Sequence, residues 1–460
     1  MSELETLFPY QTVGAQFLSE RPQAFLADDM GLGKSAQGVA ACDLVGARRI
    51  LILCPANVRV NWSREFDRFS PFDRPVAIIA KGTDAPELNG VTISSYDLLD
   101  NDKVFKALRN NDWDVLILDE AHNLKNRAAG RTKSVYGARG ASGLAICAKN
   151  VWRLSGTPAP NNASELWTHL HSAGTTAMPY YKFVETYCSG YDSGYGFKIT
   201  GHQNTEHLKQ VLAPFMLRRL KEDVMTELPP ITFSTVTIER SAVELDPFFY
   251  AQMLGKGEEK FLAELKEADL ALKAAIKQVK SHEKSKLSDM VTMLEGMAIS
   301  QASLRRYIGL AKVPIFCEMI RSELVADPTK KIVIFAWYKD VVESCRVELA
   351  KFGAVTLYGG TEPERRQRNI DKFANDPKTR VFIGNIKAVV GVDGLQKHCN
   401  EGAFIEESWT PADNAQAAMR IHRIGQEKPV RIRFFSCAGS VDELITAALI
   451  RKTKELAKIF

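Results

Sequence analysis

The sequence has no run near the roughly 20 consecutive apolar residues that a membrane helix requires. Its start, MSELETLFPY, lacks both the basic and the apolar region of a secretory leader. The expectation is a chain with no membrane partner that stays in the cytoplasm where it is made. Paired cysteines are missing as well. The eight cysteines stand singly, with no Cys-x-x-Cys and no histidine at ligand spacing, which argues against a zinc site or a disulfide framework and for reduced thiols. His169 and His171 lie two apart but have no further ligand set near them. Repeats and low-complexity tracts are absent. A surplus of one charge is nearly absent too: 60 Lys and Arg against 55 Asp and Glu leave +5, too weak a lean to name an anionic partner. What is present is ordinary for a folded protein, 45% hydrophobic and 25% charged over 460 residues, enough chain for two or three domains.

Short β-branched or Leu-rich runs recur between amphipathic stretches: Arg49 to Cys54, Val91 to Ser94, Val115 to Leu118, Val151 to Leu154, Lys331 to Phe335, Val355 to Tyr358, Val381 to Gly384 and Ala403 to Ile405. Such alternation describes an α/β protein with two parallel-sheet domains. From Pro247 to Lys312 the pattern changes to helix with many Lys and Glu, a helical insertion between the two lobes. A basic helix over Val441 to Phe460 ends the sequence, and Tyr180 to Gly201 reads as an irregular loop region rich in Tyr and Gly.

Three elements carry chemistry. After the apolar Ala24 to Ala27 comes Asp28-Asp29-Met30-Gly31-Leu32-Gly33-Lys34-Ser35, followed by a helical stretch. Glycines let successive N–H groups face a phosphate, Lys34 supplies charge for the β/γ-phosphates, and the Ser35 hydroxyl suits Mg²⁺. The phosphate-loop pattern G-x-x-x-x-G-K-[ST] fails at its first position, which is Asp28. Next, the apolar run Val115 to Leu118 ends in Asp119-Glu120-Ala121-His122. A buried strand ending in adjacent carboxylates delivers one, Asp119, to the metal and leaves the other, Glu120, to act as general base on the attacking water. Far downstream, Gln416-Ala417-Ala418-Met419-Arg420-Ile421-His422-Arg423-Ile424-Gly425-Gln426 sets Arg420 and Arg423 three apart. On a helix they share a face, and two guanidinium groups suit a transferring phosphoryl group.

In order along the chain these elements resemble the superfamily-two helicase-like ATPases, and within them the Snf-two (Swi/Snf) family of double-stranded-DNA translocases. Phe8-Pro9-Tyr10-Gln11 looks like the adenine-reading Gln motif. DDMGLGKS, DEAH with its LKN, SGTP at Ser155 to Pro158, MLRRLK at Met216 to Lys221 with LPP at Leu228 to Pro230, IVIFAWYKD, and HRIGQ follow in family order. The nearest likeness is to the compact annealing-helicase, HARP-like branch, and the chain looks like a bare motor, as small bacterial or phage-encoded members are. The resemblance implies two RecA-like lobes: 1–235 with an irregular extension from about 165, an insertion at 236–312, a second lobe at 313–440, and a brace helix at 441–460. It implies ATP and Mg²⁺, with Gln11, Asp29, Met30, Gly31, Leu32, Gly33, Lys34, Ser35 and Gln416 around the nucleotide, Ser35 and Asp119 on the metal, and Lys34, Asp119, Glu120, Arg420 and Arg423 as the catalytic set. The pattern departs from the family at Ala418 and Met419, where acidic residues are usual, and at Ile231, where a basic one is. A small insertion leaves Gly391 and Gly394 as alternatives for the coupling glycine.

Between Glu120 and Glu165 there is no acidic residue, but Lys125, Arg127, Arg131, Lys133, Arg139, Lys149 and Arg153 are present. Arg218, Arg219 and Lys221 form a second basic cluster. Such side chains suit DNA phosphates without reading sequence, although a solvated basic loop has the same composition. Aromatic residues are not interleaved with them, which favours a duplex groove over a base-stacking site. The implied activity is an ATP-dependent translocase on double-stranded or branched DNA, acting as a monomer. An ATP-gated DNA-binding adaptor and a strand-separating helicase are the alternatives.

Overall fold

The computed structural model describes residues 5–83, 89–138, 141–192, 194, 197–225, 227–239, 243, 301–456 and 459. The chain divides into two compact units, Met1–Thr226 with Lys454–Phe460, and Glu227–Thr453.

The first unit holds strands β1 (Gln23–Leu26), β2 (Arg49–Cys54), β3 (Val76–Ile78), β4 (Gly90–Ser95), β5 (Trp113–Asp119) and β6 (Ala148–Leu154). An antiparallel hairpin, β7 (Cys188–Asp192) and β8 (Phe197–His202), follows, and then β9 (Met216–Leu217). Apart from the hairpin these strands form one parallel sheet of order β3-β4-β2-β5-β6-β1-β9. Both faces are covered, which is why its strands read as unbroken apolar runs. Phe25, Leu51, Leu53, Leu116 and Leu118 enter the core on one face, and Leu26, Ile50, Ile52, Ile117 and Leu154 the core on the other, the period of two that a strand imposes. Register then positions the chemistry. Asp119 pairs with Leu154, Leu154 with Leu26, and Leu26 with Leu217. Four loops therefore leave the carboxyl edge of the sheet side by side, where ligands of parallel sheets bind.

The second unit is a parallel sheet of order β10-β15-β14-β11-β13-β12, from β10 (Ile231–Ile238), β11 (Ile332–Ala336), β12 (Val355–Leu357), β13 (Val381–Asn385), β14 (Glu401–Phe404) and β15 (Val430–Cys437). All eight strand runs expected from the sequence are strands. In this second sheet two more, β10 and β15, escape the hydropathy pattern because charged and hydroxylated residues interrupt them. In β15, Arg433 is buried and ion-paired to Glu323.

The domain boundaries shift accordingly. The expected first lobe reached residue 235, but Ile231 to Ile238 pair along their whole length with Val430 to Cys437 and so belong to the second sheet. The second lobe was expected from 313, yet Ile308, Leu310 and Ala311 of the helix Gln301–Ala326 already lie in its core. The expected helix over Pro247 to Lys312 lies outside the described residues up to 300. At the C-terminus, Val441 and Ile445 join the second core while Ile459 is buried in the first. Among the described residues no helix is long and apolar enough to cross a membrane.

Candidate functional site

The loop Ala27–Gly33 leaves β1 and opens the helix Lys34–Leu44. Gly31 and Gly33 have φ of 85° and 69°, a left-handed backbone that L side chains resist. A Cβ on Gly33 would also stand 2.3 Å from the Gln11 amide nitrogen. Lys34 folds over the loop and donates to the carbonyls of Asp28 (2.8 Å) and Asp29 (3.1 Å). Burial pulls its ammonium below the usual lysine range, opposed by Glu120, Asp28, Asp29 and Asp119. Gln11 is buried, accepting from the Phe8 N–H (3.0 Å) and donating to the Leu32 carbonyl (3.3 Å). The Gln motif is thus fastened to the phosphate loop. Met30 and Ser35 are half-buried along it.

Asp28, the residue that breaks the phosphate-loop pattern, turns out to be an anchor. Its carboxylate is fully buried and accepts from Arg219 Nε (2.9 Å), from Arg219 Nη2 and from Gln37 Nε2 (3.0 Å). Arg219 further donates to the Tyr10 carbonyl and to Gln37 Oε1 (2.8 Å). One guanidinium thereby joins the Gln-motif helix, the phosphate loop, the following helix and β9. Its neighbour Arg218 donates to the carbonyls of Ala27 (3.1 Å) and Gly156 (3.3 Å), and burial lowers its pKa. Lys221 is buried too. The second basic cluster was expected to face DNA. The structure corrects this: Arg218 and Arg219 brace the loops from inside and Lys221 is buried rather than facing a track, because a buried guanidinium finds carbonyls and carboxylates where it would otherwise need water.

At the end of β5, Asp119 accepts from Trp62 Nε1 (2.8 Å) through one oxygen and from the Glu120 N–H (2.9 Å) through the other. Tyr96 Oη donates to its carbonyl (2.7 Å). Burial, and then the neighbouring Glu120 charge, push its carboxyl above the usual range. Glu120 adopts φ 47°, one of two non-glycine residues with positive φ among those described, a strain that clusters at functional sites. This turns its carboxylate towards His122 Nδ1 (3.2 Å) and Ser155 Oγ (3.4 Å), which lie 3.0 Å from each other. The SGTP turn thus touches the Glu120 carboxylate. Gly156 is needed there, since a Cβ would meet Met30 at 2.8 Å and Lys34 Nζ at 3.3 Å.

These residues fit a hydrated Mg²⁺. Each Asp119 carboxylate oxygen accepts one hydrogen bond and so has a second lone pair to offer, and the charges of Asp119 and Glu120 both act on the Lys34 ammonium. No cluster of three or more His, Cys, Asp or Glu ligands exists among the described residues. One or two protein oxygens together with substrate phosphates suffice to hold Mg²⁺.

In the second unit the expected helix through Arg420 and Arg423 ends earlier, at Ala418, and both arginines sit in the turns beyond it. They do not share a helical face. Arg423 pairs with Asp393 (2.7 Å), beside Gly394, whose φ of 87° marks the turn. Gln416, in the helix Pro411–Ala418, is buried. Sequence reading missed a surface at the carboxyl ends of β11, β12 and β13. Lys387 lies 5.0 Å from the Trp337 ring and Lys339 4.7 Å from that of Tyr358, with both lysines exposed. The WYKD and NIK segments following two apolar runs were the available signal.

The acid-free basic stretch divides as well. Arg153 is fully buried, donating to Tyr136, Gln23 and Ser172. Lys149 pairs with Asp114 (2.8 Å) and Lys125 with Glu165 (3.0 Å). Arg127, Arg131 and Lys133 are exposed, and Arg139 lies outside the described residues.

Residues 10–302 match the SNF2-related domain family and residues 311–425 the helicase conserved C-terminal domain. The chain is 30% identical to the SWI/SNF-related matrix-associated actin-dependent regulator of chromatin subfamily A-like protein 1 homolog of Caenorhabditis elegans, over all of this chain and 62% of that protein. It is 26% identical to the DNA annealing helicase and endonuclease ZRANB3 of Mus musculus, over 97% of this chain and 40% of that one. The chain thus spans less than two thirds of the length of these curated relatives. Nothing in them supports a bacterial or phage source. Among solved structures, the Sulfolobus solfataricus SWI2/SNF2 ATPase core in complex with dsDNA is similar at 22% identity and a TM-score of 0.44, over 99% of this chain and 97% of that one.

Proposed function

Since the chain belongs to the SNF2-related family and carries a helicase conserved C-terminal domain after it, we propose that it is a DNA-dependent ATP hydrolase that moves along double-stranded DNA and remodels junctions or DNA-bound protein. The carrying observation is the meeting of Lys34, Asp119, Glu120 and Ser155 at one edge of the first sheet, where the half-buried Lys34 feels the charge of both carboxylates. Under this reading the Gly31 to Gly33 amides and Lys34 hold the triphosphate, and Gln11 senses the base. Ser35 and Asp119 would hold Mg²⁺, which when bound neutralises phosphate charge. Glu120 takes the proton of the attacking water, poised by its strained backbone and by His122. Arg420 and Arg423 of the second lobe supply guanidinium charge to the transferring phosphoryl group.

Two surfaces support a nucleic-acid track. Arg127, Arg131 and Lys133 follow the catalytic carboxylates directly, and Lys339 and Lys387 stand over aromatic rings at the strand ends of the second lobe. The mouse relative is named an annealing helicase, which favours branched DNA as substrate. The deciding experiment is the ATP turnover rate against duplex, single strand, fork and RNA at matched salt. Duplex or fork should stimulate most, and Lys34→Ala should abolish turnover while leaving DNA binding in place. No stimulation by duplex would refute the proposal. Better stimulation by single strands would favour a strand-separating helicase, and duplex binding without triplex displacement would favour an ATP-gated adaptor.

A further inference from the structure

The segment Tyr180 to Gly201, which the sequence presents as an irregular loop, folds instead into the helix Tyr180–Tyr187 and the β7–β8 hairpin. A pocket of about 640 Å³ opens between them, within the size range that encloses a small ligand. Its wall includes Tyr180, Tyr181, Val184, Phe197 and Ile199. Tyr181 and Phe197 leave 72% and 50% of their surface in water, an unusual exposure for large rings on a folded lobe. Gly190 keeps the pocket open at a bulge in β7, since a Cβ there would stand 3.0 Å from the Phe197 ring and 2.0 Å from the Lys198 carbonyl.

Charge decides the class of occupant. Among the described residues no Lys or Arg lines the pocket, and the one charged group there is Glu185, paired with Lys182 at 3.0 Å. A phosphate has nothing to hold it inside. The cation lies next door: the exposed Arg127 guanidinium is 4.6 Å from the Tyr180 ring centroid, so Tyr180 connects the pocket to the basic stretch that follows Asp119 and Glu120. The fold thus brings together aromatic and basic residues that lie 53 positions apart in the chain. Aromatic rings beside a backbone-binding arginine form a stacking platform for bases.

We propose that this pocket receives an unpaired nucleobase of branched DNA, stacked on Tyr181 and Phe197 while Arg127 holds the adjoining phosphate. The inference rests on the DNA reading above and adds to it a preference for DNA with a single-stranded end or branch. The test compares a blunt duplex with the same duplex bearing a short overhang that carries 2-aminopurine, using the full chain. Wild type should bind the overhang DNA about tenfold more tightly, one stacked base being worth that much, and should quench the 2-aminopurine. Tyr181→Ala/Phe197→Ala should reduce overhang affinity to that of the blunt duplex, with blunt-duplex-stimulated ATP turnover intact, and Tyr181→Phe should retain the preference. Should the alanine pair melt early, Tyr181→Ala alone, at the more exposed ring, carries the test. Equal wild-type affinity for both DNAs, or a preference that survives the variants, overturns the proposal. Blunt duplex that fails to stimulate hydrolysis would instead sink the motor reading itself.

Discussion

Replacing Arg219 by alanine tests the argument most directly, because this one side chain was expected on the surface and is found holding the phosphate loop. Its guanidinium meets a carboxylate, Asp28, that is fully buried, and it is itself only 14% exposed. Exposed ion pairs contribute about 0–1 kcal/mol. Removing one partner of a buried pair costs about 3–5 kcal/mol, since the surviving charge is left without compensation. After Arg219→Ala, Asp28 retains, among the described residues, the Gln37 amide as its side-chain donor, at 3.0 Å. The expected loss is therefore about 3–5 kcal/mol in the first lobe, or a fall in its melting midpoint of roughly 10 °C for a domain of this size.

The chemistry of the loop adds a second readout. Arg219 also ties the Tyr10 carbonyl to Gln37, so its loss should loosen both the Gln motif and the loop and weaken nucleotide binding. A double variant, Asp28→Asn/Arg219→Ala, separates the two effects. With the charge gone, the carboxamide that replaces the Asp28 carboxylate can pair with the Gln37 amide, and at least half the lost stability should return while nucleotide affinity stays low. Thermal melting with and without nucleotide measures both. An Arg219→Ala variant that loses less than about 1 kcal/mol would refute the reasoning, because it would class the pair with exposed ones.

Other perturbations have equally definite outcomes. Trp62→Phe removes the indole donor from Asp119, so the Mg²⁺ concentration needed for half-maximal ATP turnover should rise about tenfold, as for other groups that orient a metal ligand; an unchanged requirement contradicts the assignment of Asp119. Gly33→Ala must adopt a left-handed backbone at about 1–2 kcal/mol and displace the Gln11 amide, so nucleotide affinity should fall about tenfold or more by titration calorimetry. In the second lobe, burial pushes the Glu406 carboxyl up to about 7, while the Tyr338 and Trp337 N–H groups pull it down. The folded state then holds this proton more tightly than the unfolded state. The stabilisation is full below the ordinary 4.5 and lost as pH rises through 7, about 3 kcal/mol in all. Glu406→Gln should remove most of that slope, seen as the wild-type minus variant difference in denaturant unfolding between those limits; parallel curves would refute it.

The parts legible in the sequence were those whose cause is local. A fully covered parallel strand must be apolar on both faces, so RILILC and VLIL announce themselves, and a left-handed turn around phosphate must use glycine, so Gly31 and Gly33 do too. What escaped was set by partners far along the chain. Trp62 and Asp119 are 57 residues apart and Asp28 and Arg219 are 191 apart, and no spacing rule connects them. The strand β15 was hidden because Arg433 interrupts it, and Glu323, 110 residues away, with Glu401 makes that arginine tolerable in a sheet. Helix length was overestimated at Arg420 because the turn that stops it after Ala418 contains no glycine or proline; the first comes at Gly425.

Basic residues were where composition misled most, and the reason is physical. Lysine and arginine serve two opposite purposes, facing a solvated polyanion or satisfying carbonyls in a dry interior, and the sequence spells both identically. Of the described basic residues between Glu120 and Glu165, Arg153 staples the core, Lys125 answers a carboxylate, Lys149 does so from the surface, and Arg127, Arg131 and Lys133 are exposed. Each phosphate contact adds about −0.9 to the slope of log affinity against log salt. Arg127, Arg131 and Lys133 can therefore add about −3 to that slope, less than the whole basic run would suggest. The motor reading needs no more than that from this lobe. A translocase must release each phosphate on every cycle, and a track held by a few exposed cations and by rings that tolerate any base is one it can leave.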